Sequence, residues 1–299
     1  MAQSTVLRRG RRVFESIGMI AIVSAVLAGC SAGTSFERLN DAVRLSADLR
    51  IQFTQASNAA NQAVMADTDE ASTDFAKRAA EAKKQVQADI EALRPVLNEL
   101  NYTDEMRLLD EFVAAFTEYR DLDGRILDLA VQNTNLKAQR LSFGDAQQSA
   151  DAFAQALNAI VPTAPAADTW RLKALVAGAI ADLRAIQVAQ APHIAEADDA
   201  AMTRIEQQMK TSEANVRSAL DSLGPLAPSS MQPRVAEARA AFDRFMSVNA
   251  QIIDLSRRNT NVRSLMLSLN EKGKTTNACE QSLRALQEAL SKRGGSGSR

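Results

Sequence analysis

The chain has 299 residues, with 35 Lys and Arg against 36 Asp and Glu, a net charge of −1, and no basic block, which argues against a nucleic-acid partner. Two cysteines cannot build a disulfide framework, and one histidine without clustered Cys or carboxylates is not a metal site. Hydrophobic residues make up 46 % but aromatics only 4 %, a balance that suits closely packed Ala, Leu, Val and Ile helices better than a sheet.

The chain opens with Arg8, Arg9, Arg11 and Arg12, then an apolar run from Ile17 to Ala28, then Gly29-Cys30. A positive start, a short apolar stretch and small residues before a cut point mark an export signal. Leu27-Ala28-Gly29-Cys30 resembles a lipobox, at which the bacterial lipoprotein family is cut before the cysteine and diacylated on its sulfur. The resemblance implies a signal peptide over 1–29, lipidation of Cys30, an anchored linker over 30–33, and an extracytoplasmic protein whose membrane partner is reached through lipid. An uncleaved spanning anchor is the alternative, disfavoured because the run falls short of the ~20 apolar residues a bilayer requires. Arg11-Arg12-Val13-Phe14 is similar to part of a twin-arginine motif, but Glu15-Ser16 departs from it, so Sec and Tat export both stand. Ser31 implies, in a Gram-negative host, the outer membrane with the protein on its periplasmic face. Residues 1–29 carry four Arg and one Glu, so the remainder is near −4. With Cys30 acylated, Cys279 has no partner and reads as a small buried hydrophobe.

Thr34 and Glu37 have capping-box spacing, which predicts a helix from about Phe36 to Ala66. Asp67 and Glu70 repeat the spacing, and a second helix is expected from Asp69 to about Leu100, kinked or shortened by Pro95. Thr103 opens a third, with Asp104 and Glu105 in its first turn. Leu108, Phe112, Ala115, Tyr119, Leu122, Ile126, Leu129, Asn133, Leu136, Arg140 and Phe143 alternate steps of four and three, a heptad seam. Gly144-Asp145 either ends this helix or lies within a continuous rod. Val161-Pro162-Thr163-Ala164-Pro165 stops it and marks the main boundary. Beyond it, Asp168 is placed to cap a helix from Trp170 that ends at Pro192-His193. Gly224-Pro225 to Pro228 make the next turn, and a long helix follows from Pro233.

The second half copies the first at a shift of 126 without gaps. Ile126 pairs with Ile252, Asp128 with Asp254, Leu129 with Leu255, Leu157 with Leu283, and Asn133-Thr134-Asn135 with Asn259-Thr260-Asn261. The expected fold is therefore all-α: two tandem antiparallel helical bundles over 34–160 and 168–292, joined by a Pro-rich linker over 161–167 and followed by a disordered tail over 293–299.

Phe116-x-x-Tyr119, Ile126-Leu127-Asp128-Leu129 and Asn133-Thr134-Asn135, with their counterparts Phe242-x-x-Phe245, Ile252-Ile253-Asp254-Leu255 and Asn259-Thr260-Asn261, resemble one helix of the four-helix-bundle ligand domain of methyl-accepting chemotaxis receptors. The resemblance covers about 40 residues in each half. It implies an up-down bundle outside the cytoplasmic membrane, often a homodimer, that senses small molecules. The chain departs from the family in having no second span after either repeat, no linker module and no methylation helices. What remains is a sensor-type module without its transmitter, or a bundle reused as a scaffold.

Asn133 and Asn259 fall on the seam, where a buried Asn commonly fixes helix register. As a functional alternative they form, with Asn135, Asn261 and the cation Arg140, a polar notch for a small ligand. Arg140 otherwise packs its stem and extends its head to water. His193 reads as a surface turn residue, and Trp170 as a packing residue at the start of the second module. No Gly-rich phosphate loop and no nucleophile elbow occurs, so no catalytic residue, metal or cofactor is assigned. The expectation is a non-catalytic extracytoplasmic lipoprotein that binds a small ligand or a partner helix and reports to a separate membrane receptor in chemotaxis or signal transduction. The rival expectation is an envelope spacer without a ligand.

Overall fold

A computed structural model of the chain describes residues 10–163 and 169–296, with side chains from 35 to 162 and from 169 to 294. Every regular element among them is helical: α1 (Gly10–Met65), α2 (Asp69–Glu99), α3 (Thr103–Ala130), α4 (Thr134–Leu141), α5 (Gln147–Asn158), α6 (Thr169–Ala195), α7 (Asp199–Leu226), α8 (Gln232–Arg258), α9 (Thr260–Leu267) and α10 (Gly273–Ser296). Among the described residues no helix is long and apolar enough to cross a membrane. The Arg side chains of the export signal, the Cys30 thiol, the Asp168 cap and most of the 161–167 linker lie outside what is described.

Helix ends follow local chemistry, with several departures from the sequence expectation. α1 runs uninterrupted through Thr34, so no helix starts there. The α1–α2 turn is capped one residue later than the capping box suggested: the Ala71 N–H donates to Thr68 Oγ1 at 3.1 Å, with Asp69 and Glu70 in the first turn. Pro95 neither ends α2 early nor breaks it. α2 closes instead on Asn101 at φ 57, with Tyr102 N–H donating to the Leu97 carbonyl and Asn101 N–H to that of Asn98. This is a Schellman closure with Asn where Gly is commonest. α6 continues past Pro192-His193 to Ala195, α7 passes Pro225 to reach Leu226, and α10 extends to Ser296, inside the segment expected to be a tail.

The long seam breaks at an unforeseen place. Asn133 (φ 51) and Asn259 (φ 54) adopt the left-handed conformation and end α3 and α8. Asn tolerates this region best among residues bearing a side chain, because its short amide bonds locally. Nine residues later each copy of the repeat contains a π turn, Ser142–Ala146 and Ser268–Lys272, so Gly144 neither ends the helix nor sits in a plain α-helical rod. A π turn inserts one residue and shifts the helical phase. The buried row accordingly runs Leu109, Phe112, Phe116, Tyr119, Leu122 and Ile126 in α3, but Ala138, Ser142, Ala146, Ala150 and Phe153 beyond the break. Arg140 and Phe143, placed on the seam by their spacing, are exposed.

Two compact units form, and they do not coincide with the sequence modules 34–160 and 168–292. The first draws on residues up to Ala59, Lys77–Leu122 and residues from Lys272. Its core combines Leu49 and Phe53 of α1, Val86, Ile90, Leu93 and Leu97 of α2, Leu109, Phe112, Phe116 and Tyr119 of α3, and Cys279, Leu283, Leu286 and Leu290 of α10. The second draws on Ala60–Ala76 and Asp123–Glu271. Its core combines Ala150, Phe153 and Leu157 of α5 with Leu172, Val176, Leu183 and Ile186 of α6, Val216 and Leu220 of α7, and Phe242, Phe245 and Ile252 of α8. Each unit thus takes three helices from one half of the sequence and a fourth from the other. The exchange is permitted because α5 and α10 offer apolar positions at the 126-residue shift: Phe153 and Cys279, Leu157 and Leu283, Ile160 and Leu286. An element that fits either body is the requirement for a swap.

In the first unit the Phe53 ring meets Phe112 at 5.9 Å and Tyr119 at 5.1 Å edge-on, while Phe112 and Phe116 stack at 5.6 Å. Trp170, expected to pack, is 73 % exposed at the start of α6.

Candidate functional site

The polar chemistry of the second unit is concentrated where α3 and α8 break. The two Asn-Thr-Asn segments clasp one another there. Thr134 N–H donates to Thr260 Oγ1 at 3.2 Å and Thr260 N–H to Thr134 Oγ1 at 3.1 Å. Asn135 N–H donates to Asn261 Oδ1 and Asn261 N–H to Asn135 Oδ1, both at 3.1 Å. Asn135 Nδ2 donates to Asn259 Oδ1 at 2.8 Å, and Asn261 Nδ2 to Asn133 Oδ1 at 2.9 Å. The first N–H groups of α4 and α9, which have no partner within their own helices, are thereby satisfied by the opposite segment. Asn133, Asn135, Asn259 and Asn261 are brought together as the sequence suggested, but they bond each other. Arg140 is not part of the cluster; it lies at the surface, 3.7 Å from Asp69 and 3.3 Å from the Asp67 carbonyl.

The clasp also holds the C-terminus of α6, whose last carbonyls lack donors within the helix. Asn135 Nδ2 donates to the Ile194 carbonyl and Asn259 Nδ2 to the Glu196 carbonyl, both at 2.7 Å. Ser256 Oγ donates to the His193 carbonyl at 2.8 Å. Three side-chain donors from α4, α8 and the α8–α9 junction therefore cap one helix end.

His193 corrects the sequence expectation most sharply, since it is fully buried and not a surface residue. Its Nε2 lies 2.9 Å from Glu206 Oε1, its Nδ1 2.8 Å from Ser256 Oγ. Arg257 Nε donates to the same Glu206 oxygen at 2.6 Å. That bond holds the Glu206 carboxyl below the usual carboxylate range; burial opposes it, and His193 adds to it. With Glu206 ionised, Nε2 must carry the proton it shares. Ser256, His193 and Glu206 thus form a hydrogen-bonded row, yet Ser256 Oγ is enclosed and directs its proton to a backbone carbonyl or to the ring, which is no geometry for attack on a substrate.

One turn earlier in α6, Gln190 is also fully buried. Ser142 Oγ donates to its Oε1 at 2.7 Å, and its Nε2 donates to Asn249 Oδ1 at 2.9 Å. Among the described residues Asn249 Nδ2 donates only to Met209 Sδ at 3.9 Å, a weak acceptor. Asn249 lines a groove of about 280 Å³ between α7 and α8 with Met209, Met246, Ile253, Ala250, Glu206, Lys210 and Glu213. The buried polar row therefore reaches open space at one place.

No family model and no curated protein matches the chain.

Gln190, His193, Glu206, Asn249 and Ser256 were not singled out as a site by the sequence. A signal existed for the α8 members. Phe242, Phe245, Asn249, Ile252, Ser256 and Asn259 alternate steps of three and four, so the seam that revealed Asn259 also contains Asn249 and Ser256. The same alternation marks the others: Leu172, Val176, Ala179, Leu183, Ile186, Gln190 and His193 in α6, and Met202, Glu206, Met209, Glu213, Val216, Leu220 and Leu223 in α7. Among the described residues no three His, Cys, Asp or Glu side chains gather as a metal ion requires.

Proposed function

We propose that the chain is a non-catalytic, extracytoplasmic lipoprotein, tethered through Cys30, whose duplicated helical bundles recognise a small molecule and report its presence to a separate membrane receptor. The observation that carries the recognition part is the row Ser142–Gln190–Asn249, which runs through the interior of the second unit and ends with a weakly satisfied amide donor beside an open groove. Buried amides cost stability unless each bond is made. A bundle that serves only as a spacer has no use for a donor left on a thioether beside open space. The tether rests on the lipobox resemblance at Leu27-Ala28-Gly29-Cys30, and the sensing role on the chemoreceptor-like motifs around Asn133 and Asn259.

Two measurements test the proposal. Intact mass of the exported protein should show a diacylated N-terminal Cys30; an unprocessed chain in the cytosol removes the tether. A thermal-shift screen of small metabolites should raise the melting temperature by mass action. A flat response across charged, neutral and aromatic compounds removes the recognition role and leaves the spacer.

A further inference from the structure

We infer that the groove between α7 and α8 is a binding site for a small aromatic monocarboxylate, an inference that rests on the recognition role above and names its ligand. The groove offers two donors, one inside and one at its rim. Asn249, 2 % exposed, offers Nδ2 with only a thioether 3.9 Å away. Lys210 pairs with no acidic side chain among the described residues and stands at the rim. Each carboxylate of the lining has one oxygen held by an arginine, which offsets its charge. Arg257 Nε is 2.6 Å from Glu206, and Arg217 grips Glu213 through Nε at 3.0 Å and Nη2 at 2.9 Å. An acceptor-bearing ligand meets two waiting donors, Asn249 Nδ2 and Lys210 Nζ.

The remaining walls fix the body of the ligand. Met209 and Met246 face the groove with Ile253 and Ala250. Thioethers adapt in shape and attract aromatic ring edges. The volume, about 280 Å³, lies just under the range of ~300–1,000 Å³ that drug-sized ligands occupy, so it suits a single ring. The carboxylate accepts from Asn249 Nδ2 and lies beneath Lys210 Nζ, and the ring rests between the two methionines. Because Asn249 is tied through Gln190 to Ser142 at the π turn, an occupied groove completes the hydrogen bonding of the whole row.

The test uses the full chain with three probes that share a ring: benzoate, benzylamine and benzyl alcohol. Benzoate should bind and raise the melting temperature, with benzylamine silent. Lys210→Ala should weaken benzoate about tenfold, in line with loss of one charge-assisted bond. Ala250→Trp fills the groove from the helix surface without touching the row, so it should abolish binding while the unliganded melting temperature stays near that of the parent. Asn249→Leu should also abolish binding, and Ala250→Trp keeps the test decisive if that variant folds poorly. Equal binding of benzylamine, or benzoate binding that survives Ala250→Trp, overturns the assignment. A different compound that stabilises parent and Ala250→Trp alike overturns this site while leaving the recognition role in place.

Discussion

The two units solve the same packing problem with different chemistry. At the centre of the first, Phe53, Phe112, Phe116 and Tyr119 contact one another edge-on and stacked, with aliphatic α10 residues closing the core. In the second unit, α6 and α8 place Gln190, His193, Asn249 and Ser256 in the interior, each fully or almost fully buried. At the 126-residue shift Gln190 corresponds to Val64 and Ser256 to Ala130, whereas Asn249 corresponds to the buried Asp123 and His193 to Asp67, so only part of the row has a polar counterpart, and all four counterparts belong to the second unit as well. Rings and aliphatic chains give cohesion without directional demands. Amides and an imidazole give a unique arrangement only while every bond is made, and each missing bond is costly. The difference teaches where specificity resides in a duplicated fold.

Mutations should separate the two kinds of core. The largest effect is expected from Phe53→Ala, which removes a ring meeting three others and should destabilise the protein by about 3–5 kcal/mol in denaturant unfolding. Asn259→Leu comes next. It deletes bonds to Asn135 and Glu196 and forces a branched side chain into the left-handed region, for about 2–4 kcal/mol in total. Asn259→Gly relieves the backbone strain and should recover part of that loss. Gln190→Leu should cost about 1–3 kcal/mol, because it strands Ser142 and Asn249, whereas Gln190→Leu with Asn249→Leu should recover part of that loss, with Ser142 still stranded. If the double variant were as damaged as the single, the amides would not be acting as a pair.

Acid should act on both units through carboxylates with depressed pKa. Burial raises the Glu105 carboxyl in the first unit, but the Arg293 hydrogen bond and charge more than compensate; in the second, Arg257 lowers that of Glu206. A depressed folded-state pKa contributes stability that is complete above the unfolded value near 4.3 and vanishes as pH falls through the folded value. Stability should thus drop on acidification below about pH 4.3, and Glu206→Gln, costing about 1–3 kcal/mol at neutral pH, should flatten part of that slope. The smallest effect is kinetic. Burial pushes the Cys279 thiol up to about 12, so maleimide should leave it unlabelled in the native protein and react only on unfolding. Rapid native labelling would show that the first core opens readily.

The all-helical fold was legible because apolar spacing in α2, α3 and α8 is regular and the caps are conventional. The repeat pointed to asparagines that the fold brings together, where they bond each other. Their role was not legible, since a left-handed Asn and a register-fixing Asn look alike in a heptad. The π turns were equally silent, and Arg140 and Phe143 were misplaced because a spacing argument assumes constant phase. His193 sits beside Pro192, a pair that suggests a turn, and this masked its place at the end of the alternation Leu183, Ile186, Gln190, where Glu206 and Ser256 approach it from other helices. The exchange of α5 and α10 could not be read at all, because both helices offer the same apolar positions to either core.

That exchange has a consequence for biosynthesis. Cys279, Leu283, Leu286 and Leu290 complete a core whose other members end at Tyr119. A nascent chain therefore cannot finish the earlier-made of its two bundles until residue 290 has been translated, and for most of that interval Phe53, Phe112 and Phe116 lack their final cover. Contacts so distant along the chain slow folding and leave sticky surface waiting. A nonsense mutation near residue 275 would not trim an appendage but would hollow out the part of the molecule synthesised first.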